Sequence, residues 1–364
     1  MLKWYELQEE NELISPSLLI YPERVKTNTD TMLSMAVDPQ RLWPHIKTHK
    51  MAEIVEIQMA AGINKFKCAT LTEAELLAKC RVKEVLLAMQ PTKINIKVLG
   101  DLMQKYPDTI FSTLVDCPTT YNLIREEGLT RGLRYHVWID INNGMNRTGI
   151  KPGQQAELLY KSIAEDPECV IRGLHVYDGH IRDSDLSKRQ ERCNSDFAQL
   201  LQMKKNLILD GYAVERIIAG GTPSFPVHAE RENTELSPGT GLLWDEGYGS
   251  LFPDINFIHA AVLFTRIISK PDKDLLTLDL GHKSVASEMS FPRIRFLGNH
   301  SFEQIAQSEE HLVVKCSNAE QYNLGDAFYA LPLHICPTVS KYPKAMTVEN
   351  HKITGEWKVA ARDH

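Results

Sequence analysis

The feature that most restricts the fold of this chain is a repeated alternation over its first two-thirds. Short apolar runs of strand length alternate there with longer amphipathic segments of helix length. Strands that are joined through helices pair in parallel, with right-handed crossovers. The predicted strands are 17–21, 41–46, 65–69, 84–89, 109–115, 133–141, 170–177 and 214–220.

About eight such units favour a closed (β/α)8 barrel, and an open doubly wound sheet is the alternative. After residue 250 the helical periodicity nearly disappears, and strand-like runs alternate with turns rich in Gly, Pro, Asn and Asp. We therefore predict a barrel domain at 17–250 and an antiparallel β domain at 251–364, which residues 1–16 join.

Composition and charge indicate what kind of protein carries this fold. The 364 residues include 41 Lys and Arg against 47 Asp and Glu, so the net charge of −6 predicts no nucleic-acid-binding or membrane-binding surface. No apolar stretch approaches the roughly 18 residues that span a bilayer. The opening sequence lacks a secretory signal, and the 7 scattered cysteines suit reduced thiols. These features predict a cytoplasmic enzyme.

Lys47 is the first candidate for catalysis. The apolar strand 41–46 ends and is followed at once by Lys47, and residues at such strand ends point into the active-site mouth of a barrel. A lysine in that semi-enclosed place can have its pKa lowered, which favours the amine that forms a Schiff base. The competing interpretation is a basic turn in which Lys47 and Lys50 are solvated.

Two further strand ends carry polar side chains. Arg147 lies between two glycines directly after strand 133–141, where it offers a cationic fork and the glycines let the backbone approach a ligand. Tyr177 and His180 stand at the end of the next strand. All of them would lie at one rim of a barrel, although each alone could have a structural role, as a lone histidine usually does.

A glycine-rich loop after strand 214–220 is the candidate phosphate site. Adjacent glycines, a hydroxyl and a proline at 219–224 leave backbone N–H groups free, and the turn at 235–240 adds more donors. No spacing matches a Walker loop or a Rossmann fingerprint. An early strand-end lysine with a late phosphate loop points to pyridoxal 5'-phosphate (PLP) rather than a nucleotide.

The second domain contains a candidate metal pair, His334 and Cys336. Residues two apart on a strand face the same side, and imidazole with thiolate favours zinc over magnesium or calcium. Two protein ligands are too few for a closed structural site, so the metal would keep positions open for water or substrate. Chance explains most isolated H-x-C sequences, and Ser308–His311 is either a further candidate group or a solvated turn.

In this order, these segments resemble the D-threonine aldolase and eukaryotic-type D-serine dehydratase family, whose members are PLP enzymes with an alanine-racemase-like barrel. The resemblance covers nearly the whole chain and implies a homodimer, with each active site between one subunit's barrel and its partner's β domain. The segments that carry it include PHIKTHK, ATLTEAELLA, NGMNRTG, GLHVYDGH, AGGTPS, TELSPG and LHICPT.

The resemblance implies a role for each matching residue. Lys47 matches the lysine that binds PLP through an imine, Arg147 the arginine near its phenolic oxygen, and Tyr177 a side chain beside its ring. His334 and Cys336 match the metal pair beside the β-hydroxyl of the substrate. The positions that match the phosphate site are Gly220, Gly221, Thr222, Gly239 and Thr240.

The implied function is a lyase that uses PLP and a divalent metal, zinc before manganese, on β-hydroxy-D-amino acids. Removal of the Cα proton, with Lys47 as base, would give dehydration and a 2-oxo acid. Removal of the hydroxyl proton, with His180 as a less secure base, would give aldol cleavage to glycine and an aldehyde. The family's dehydratases carry His-x-Cys, so Cys336 slightly favours dehydration. An amino-acid racemase and a non-catalytic PLP carrier are the alternatives.

Overall fold

The computed structural model describes residues 2–363, which divide into two compact units. The barrel unit comprises residues 32–47, 55–239 and 363, and the β unit comprises 2–31, 48–54 and 240–362. Strand β1 (Ser17–Ile20) lies in the β unit. Within residues 2–363 no helix has the length and apolar character needed to cross a membrane. The seven cysteines are free thiols.

The barrel unit is built on a parallel sheet in which consecutive strands are neighbours. Residues 42–45 complete the ring, because Leu42 bridges Leu236 on one side and His45 bridges Lys67 on the other. The predicted closed barrel is therefore confirmed. Its strands are β2 (Lys65–Cys68), β3 (Glu84–Leu87), β4 (Ile110–Val115), β5 (Tyr135–Ile141), β6 (Cys169–Val176), β7 (Ile217–Ala219) and β8 (Glu235–Leu236).

Helices connect the successive barrel strands, as the amphipathic segments predict. Several begin with a side-chain cap: Thr70 Oγ1 accepts a hydrogen bond from Glu73 N at 3.2 Å, and Asp185 Oδ1 accepts one from Lys188 N at 2.9 Å. The helices of the chain are α1 (Pro22–Ala36), α2 (Ala52–Ala60), α3 (Leu71–Lys79), α4 (Lys93–Lys105), α5 (Pro118–Arg131), α6 (Gln154–Ala164), α7 (Leu186–Leu209), α8 (Phe225–Ala229), α9 (Glu246–Leu251) and α10 (Ile335–Val339).

The β unit confirms the predicted antiparallel sheet. Its strand order is β12-β13-β10-β9-β1-β15-β16, and β14 pairs with β9 and β11. β1 runs parallel to β15, and it pairs with β9 in the antiparallel sense. The strands after β8 are β9 (Ala261–Asp272), β10 (Leu275–Leu278), β11 (Ile294–Phe296), β12 (Glu303–Gln307), β13 (Leu312–Lys315), β14 (Ala327–Pro332), β15 (Lys344–Glu349) and β16 (Lys352–Lys358).

The interior of the barrel contains an ion-pair layer at the amino ends of the strands, which we call the lower layer (Lys65, Glu84, Arg216 and Glu235). Lys65 Nζ lies 2.6 Å from Glu235 Oε1, and Arg216 contacts Glu84 at 3.0 Å and Glu235 at 3.1 Å. Trp43 Nε1 donates to Glu235 Oε2 at 3.0 Å, which connects this layer to the apolar cluster beyond it. Opposite charges thus pair directly at this end of the barrel.

Candidate active site

The carboxyl ends of the barrel strands bring two predicted side chains, Lys47 and Arg147, to the aromatic ring of a third, Tyr177. Lys47 follows residues 42–45, Arg147 follows β5 and Tyr177 follows β6. Lys47 Nζ lies 5.7 Å from the centroid of the Tyr177 ring, and the Arg147 guanidinium lies 5.1 Å from it. Parallel strands end at the same rim of a barrel, which explains why residues so distant in sequence meet here.

A third cation at this ring, Lys67, was not predicted from the sequence. Its ammonium lies 5.5 Å from the Tyr177 centroid, and Nζ donates to Ser237 Oγ at 3.0 Å and contacts His175 Nε2 at 2.8 Å. His175 Nδ1 in turn contacts Asp140 Oδ1 at 2.7 Å. We call Lys67, Asp140, His175 and Ser237 the upper layer.

Burial governs the electrostatics of the upper layer. Burial lowers the pKa of Lys67 to about 7, and the neighbouring charge of Lys47 adds to the effect. Burial also lowers the pKa of His175, and so does the charge of Lys67. Burial alone would raise the pKa of Asp140, but the hydrogen bond and charge of His175, together with hydrogen bonds from Gln90 and Thr148, outweigh it, and the pKa falls below its ordinary value. The layer therefore favours an Asp140 carboxylate beside a neutral imidazole.

The predicted phosphate loop has two close approaches that require glycine. Gly220 has φ +78°, and a Cβ there would meet His228 Cδ2 at 2.7 Å. A Cβ on Gly221 would meet Tyr177 Cε2 at 2.8 Å. Gly239 N donates to Thr222 Oγ1 at 3.0 Å, which joins the loop to the predicted second turn. The structure thus brings Gly220, Gly221, Thr222 and Gly239 together beside Tyr177.

A buried hydrogen-bond network under this loop was also not predicted from the sequence. Asp178 accepts hydrogen bonds from Ser224 Oγ at 2.6 Å and from His228 Nε2 at 2.7 Å, and Gly221 N donates to Ser224 Oγ at 3.1 Å. Asp178, Cys193 and His228 lie close enough to hold a metal. Burial raises the pKa of the Cys193 thiol to about 12, however, so the group is better described as a hydrogen-bonded support for the loop.

His180, the predicted base for aldol cleavage, is held by a carboxylate. Its Nε2 lies 3.0 Å from Asp196 Oδ2, and a Cβ on Gly144 would be 3.0 Å from the same nitrogen. The imidazole therefore lies against the loop that carries Arg147. That loop is folded by Asn142, whose Oδ1 accepts hydrogen bonds from Gly144 N at 3.1 Å and Asn146 N at 3.0 Å.

The β unit contains the predicted metal pair. The prediction that His334 and Cys336 lie on a strand is wrong. His334 precedes α10, and Cys336 lies in the first turn of this helix. Pro337 follows in the same turn, where its missing N–H group needs no hydrogen-bond acceptor. Cys336 Sγ lies 3.1 Å from Thr48 Oγ1 and 3.7 Å from Thr240 Oγ1. The predicted phosphate ligand Thr240 is thus placed beside the thiol.

The charges around this pair lower the pKa of the thiol and raise the pKa of the imidazole, whose proton a bound metal would displace. Burial raises the pKa of the Cys336 thiol, but the hydrogen bond and charge of His334 and the hydrogen bond with Thr48 together outweigh it, so that the pKa falls below its ordinary value. Burial lowers the pKa of His334, yet Cys336 and Glu288 together raise it to about 9. Glu288 Oε1 lies 2.6 Å from His334 Nδ1. Nε2 is therefore the ring nitrogen that remains to bind a metal.

The second sequence candidate of the β unit is a surface turn. Ser308–His311 joins β12 to β13, and Lys283 Nζ contacts Glu309 at 2.7 Å and Glu310 at 2.9 Å. These carboxylates are exposed and paired with an exposed lysine, which is typical of a solvated turn. The segment therefore adds no ligand to the metal pair.

Comparison with known proteins yields two family models. The model described as alanine racemase, N-terminal domain, matches residues 20–246, and the one described as putative serine dehydratase domain matches residues 260–348. The chain is 25% identical over 335 residues to a D-threonine aldolase of Arthrobacter sp, covering 88% of this chain and 85% of that protein. It is 22% identical over 358 residues to a D-threo-3-hydroxyaspartate dehydratase of Delftia sp. (strain HT23), covering 91% and 93%.

Solved structures show the same fold. The crystal structure of a D-threonine aldolase from Filomicrobium marinum has a TM-score of 0.88 at 24% identity and covers 96% of each chain. A D-threo-3-hydroxyaspartate dehydratase, solved as a cysteine-to-alanine mutant in the metal-free form, has a TM-score of 0.82 at 20% identity, with 97% and 98% coverage. Each of these likenesses covers at least 96% of this chain.

Proposed function

Since this chain belongs to the family of the alanine racemase N-terminal domain, we propose that it is a lyase that uses PLP and a divalent metal on β-hydroxy-D-amino acids. The observation that carries this proposal is the paired Cys336 thiol and His334 imidazole. A racemase with the same barrel needs a second base and no metal. A lyase of the proposed kind uses the metal to polarise the β-hydroxyl group of the substrate.

The barrel unit suits PLP in shape and in charge. Gly220 and Gly221 let the loop backbone pack closely against His228 and Tyr177, and Lys47 and Arg147 place cations beside the Tyr177 ring. We propose that Lys47 binds the cofactor covalently, Arg147 contacts its phenolic oxygen, and Tyr177 packs beside its ring. When bound, PLP supplies an electron sink for the bonds at the substrate Cα. The phosphate would be held by Gly220, Gly221, Thr222, Gly239 and Thr240.

The β unit suits a soft divalent metal. His334 supplies a nitrogen and Cys336 a sulfur whose thiolate form is favoured, and this donor set prefers zinc, with manganese as the weaker alternative. Two protein ligands leave positions for water and for the β-hydroxyl of the substrate, which the metal would polarise as a Lewis acid.

Proton transfer by the chain's own residues separates the two lyase reactions. If Lys47 Nζ takes the Cα proton, the β-hydroxyl leaves as water, and hydrolysis of the resulting enamine releases a 2-oxo acid and ammonia. If His180 takes the hydroxyl proton, the Cα–Cβ bond breaks and releases an aldehyde, and return of a proton to Cα gives glycine. Asp196 orients His180, which suits a base. Cys336 tilts our proposal slightly towards dehydration.

We further propose that the enzyme is a cytoplasmic homodimer, with the partner subunit completing each active site. Both proposals rest on the resemblance of the sequence to the family rather than on contacts within one chain. Light scattering of the purified protein would measure the mass in solution. A monomer with full activity would contradict the shared active site.

The proposal is tested by assaying the purified protein with PLP and zinc or manganese on D-serine and D-threonine beside their L-forms. We expect 2-oxo acid and ammonia from a D-substrate, and we expect EDTA to abolish the reaction. Glycine and aldehyde would identify an aldolase instead. Interconversion of D- and L-amino acids that resists EDTA would establish a racemase, and bound PLP without any turnover would indicate a carrier protein.

A further inference from the structure

The upper layer contains a buried lysine that none of the proposed steps uses. Lys67 is only 3% exposed, and it lies on β2 two residues beyond Lys65. Alternate residues of a strand face the same side, so both lysines project into the barrel interior. Lys65 is neutralised directly by Glu235, but the hydrogen-bond partners of Lys67, His175 and Ser237, are uncharged in the states that burial favours.

His175 is fixed as an acceptor for this lysine. Its Nδ1 faces Asp140 Oδ1 at 2.7 Å, and the other carboxylate oxygen of Asp140 accepts a hydrogen bond from Gln90 Nε2 at 2.7 Å. With the proton on Nδ1, Nε2 is left as an acceptor for the Lys67 ammonium. The relay from Gln90 through Asp140 and His175 therefore holds the Lys67 amine at one point.

Lys67 also connects to the predicted phosphate loop. Ser237 Oγ accepts from Lys67 Nζ and donates to the carbonyl oxygen of Gly220 at 2.7 Å. Through His175, Lys67 also connects to Asp140, which lines a small cavity with Arg147 and Tyr177. Lys67 thus lies between the loop and the ring that Lys47 and Arg147 also face.

The cationic side chains around the Tyr177 ring favour the binding of an anion. Lys47, Lys67 and Arg147 lie within 5.1 to 5.7 Å of the Tyr177 ring centroid. The nearby carboxylates, Asp140 and Asp178, are engaged with His175 and His228 respectively. A buried ammonium without a charged partner is unfavourable, and an anionic ligand would offset that penalty.

We propose that Lys67 is a cofactor-positioning residue: its ammonium, held by the His175–Asp140 relay, is the buried counter-charge for the anionic cofactor. This inference rests on the proposed function, because it requires that the barrel binds PLP. It adds a cation to Lys47 and Arg147, and it assigns to the relay the task of keeping that cation in place.

The test is the affinity of the metal-loaded protein for PLP, titrated through the visible absorbance of the lysine–PLP imine. Lys67→Met removes the charge at similar volume and should weaken binding about 10- to 100-fold, the range for hydrogen bonds to charged groups. Lys67→Arg should recover part of that loss. Lys65→Met is the matched control on the same strand, and it should change the affinity less than about threefold, because Glu235 keeps Arg216 as a partner.

The pH dependence provides a second measurement. The ammonium of Lys67 faces Lys47, Arg147, Asp140, Asp178 and His175, and burial lowers its pKa to about 7 in the free protein. Wild-type affinity for PLP should therefore fall as the pH rises above 7, and Lys67→Met should lack that part of the decline. If the Met variant is unstable, Lys67→Arg and His175→Gln report on the same question.

The outcomes separate this inference from the proposed function. A wild-type protein that forms no visible imine with PLP would overturn the proposed function and the role of Lys67 with it. A wild-type protein that binds PLP, with a Lys67→Met variant of equal affinity and equal pH dependence, would overturn the role of Lys67 alone. Equal losses in Lys65→Met and Lys67→Met would show that the effect is structural, which also contradicts the inference.

Discussion

The two charged layers of the barrel interior hold similar side chains in opposite arrangements. In the lower layer, Lys65 and Arg216 contact carboxylates directly, at 2.6 to 3.1 Å. In the upper layer, Lys67 reaches the carboxylate of Asp140 only through the imidazole of His175. The lysines are neighbours on one face of β2, so the difference comes from the strands opposite them rather than from the strand that carries them.

The comparison separates a structural end of the barrel from a functional end. In a buried ion pair each charge is already neutralised by its partner, so no charge is left to bind a ligand. Charges that neutral groups keep apart remain available to a ligand. The pKa of Lys67, which is lowered to about 7, reflects this difference between the two layers. Perturbing each end in turn should therefore separate cofactor binding from stability.

The largest effect should come from Lys47, which lies at the rim beside the upper layer. Lys47→Ala removes the amine proposed to bind PLP, so the visible imine band and all lyase activity should disappear. Absorbance spectra and product assays measure both. The control is Lys50→Ala, because Lys50 Nζ donates to the backbone oxygen of Ala361 at 3.3 Å and should not be needed for the imine. A band that persists in Lys47→Ala would assign the imine to Lys67 or Lys50.

A change at the metal pair should leave both layers of the barrel intact. Cys336→Ala removes the sulfur ligand, and we expect zinc affinity to fall by more than about a hundredfold, since even outer-shell changes reduce it 10- to 100-fold. Activity should fall with it while the PLP band persists. Metal content after dialysis and a spectrum measure the two effects. Cys336→Asp keeps a ligand and should retain manganese, and unchanged zinc binding by Cys336→Ala would place the metal elsewhere.

In the lower layer the expected loss is in stability. Glu235→Gln removes a carboxylate that pairs with Lys65 and Arg216. Arg216 keeps Glu84, but Lys65 is left buried without its carboxylate, which should lower the free energy of unfolding by about 3 kcal/mol. Urea denaturation measures this, and PLP affinity should stay at the wild-type value. The control is Glu75→Gln, whose partners Lys79 and Lys105 are largely exposed, so little change is expected. A large loss of PLP affinity in Glu235→Gln would end the distinction between the layers.

The alternation of apolar and amphipathic segments was enough to predict the barrel, because each strand and helix has its own periodicity. It was not enough to assign every strand. β8 is only two residues long, below the length at which a pattern can be recognised. β1 carries an apolar run like those of the barrel, yet it pairs with β9 and β15, since burial on both faces gives no information about the partner.

The site was predictable where it follows strand ends and not where it lies within strands. Lys47, Arg147 and Tyr177 come together as the strand-end rule predicts. Lys67 lies inside an apolar strand, where its charge resembles ordinary alternation, and its partner His175 is 108 residues away. The signal that was available is the repeated inward lysine in KFKCA, which is unusual for a strand of a buried barrel.

The smallest expected effect is at Asp178, which supports the predicted phosphate loop without belonging to either layer. Asp178→Asn should weaken the hydrogen bonds to Ser224 and His228 and reduce PLP affinity about 3- to 10-fold. Burial raises the pKa of Asp178, but His228 and Ser224 outweigh it, and the pKa falls below its ordinary value of 3.8.

Because the pKa of Asp178 is lowered in the folded state, the direction in which pH changes the stability of the protein is determined. A carboxyl group with a lowered pKa in the folded state stabilises the protein fully above its unfolded pKa, and this stability is lost as the pH falls through the folded value. Acid unfolding of the wild type below pH 3.8 should therefore be steeper than that of Asp178→Asn. The exposed Asp108→Asn is the control and should follow the wild type. Identical acid curves for wild type and Asp178→Asn would mean that Asp178 is not held as a carboxylate, and the loop would then depend on Ser224 and the glycines alone.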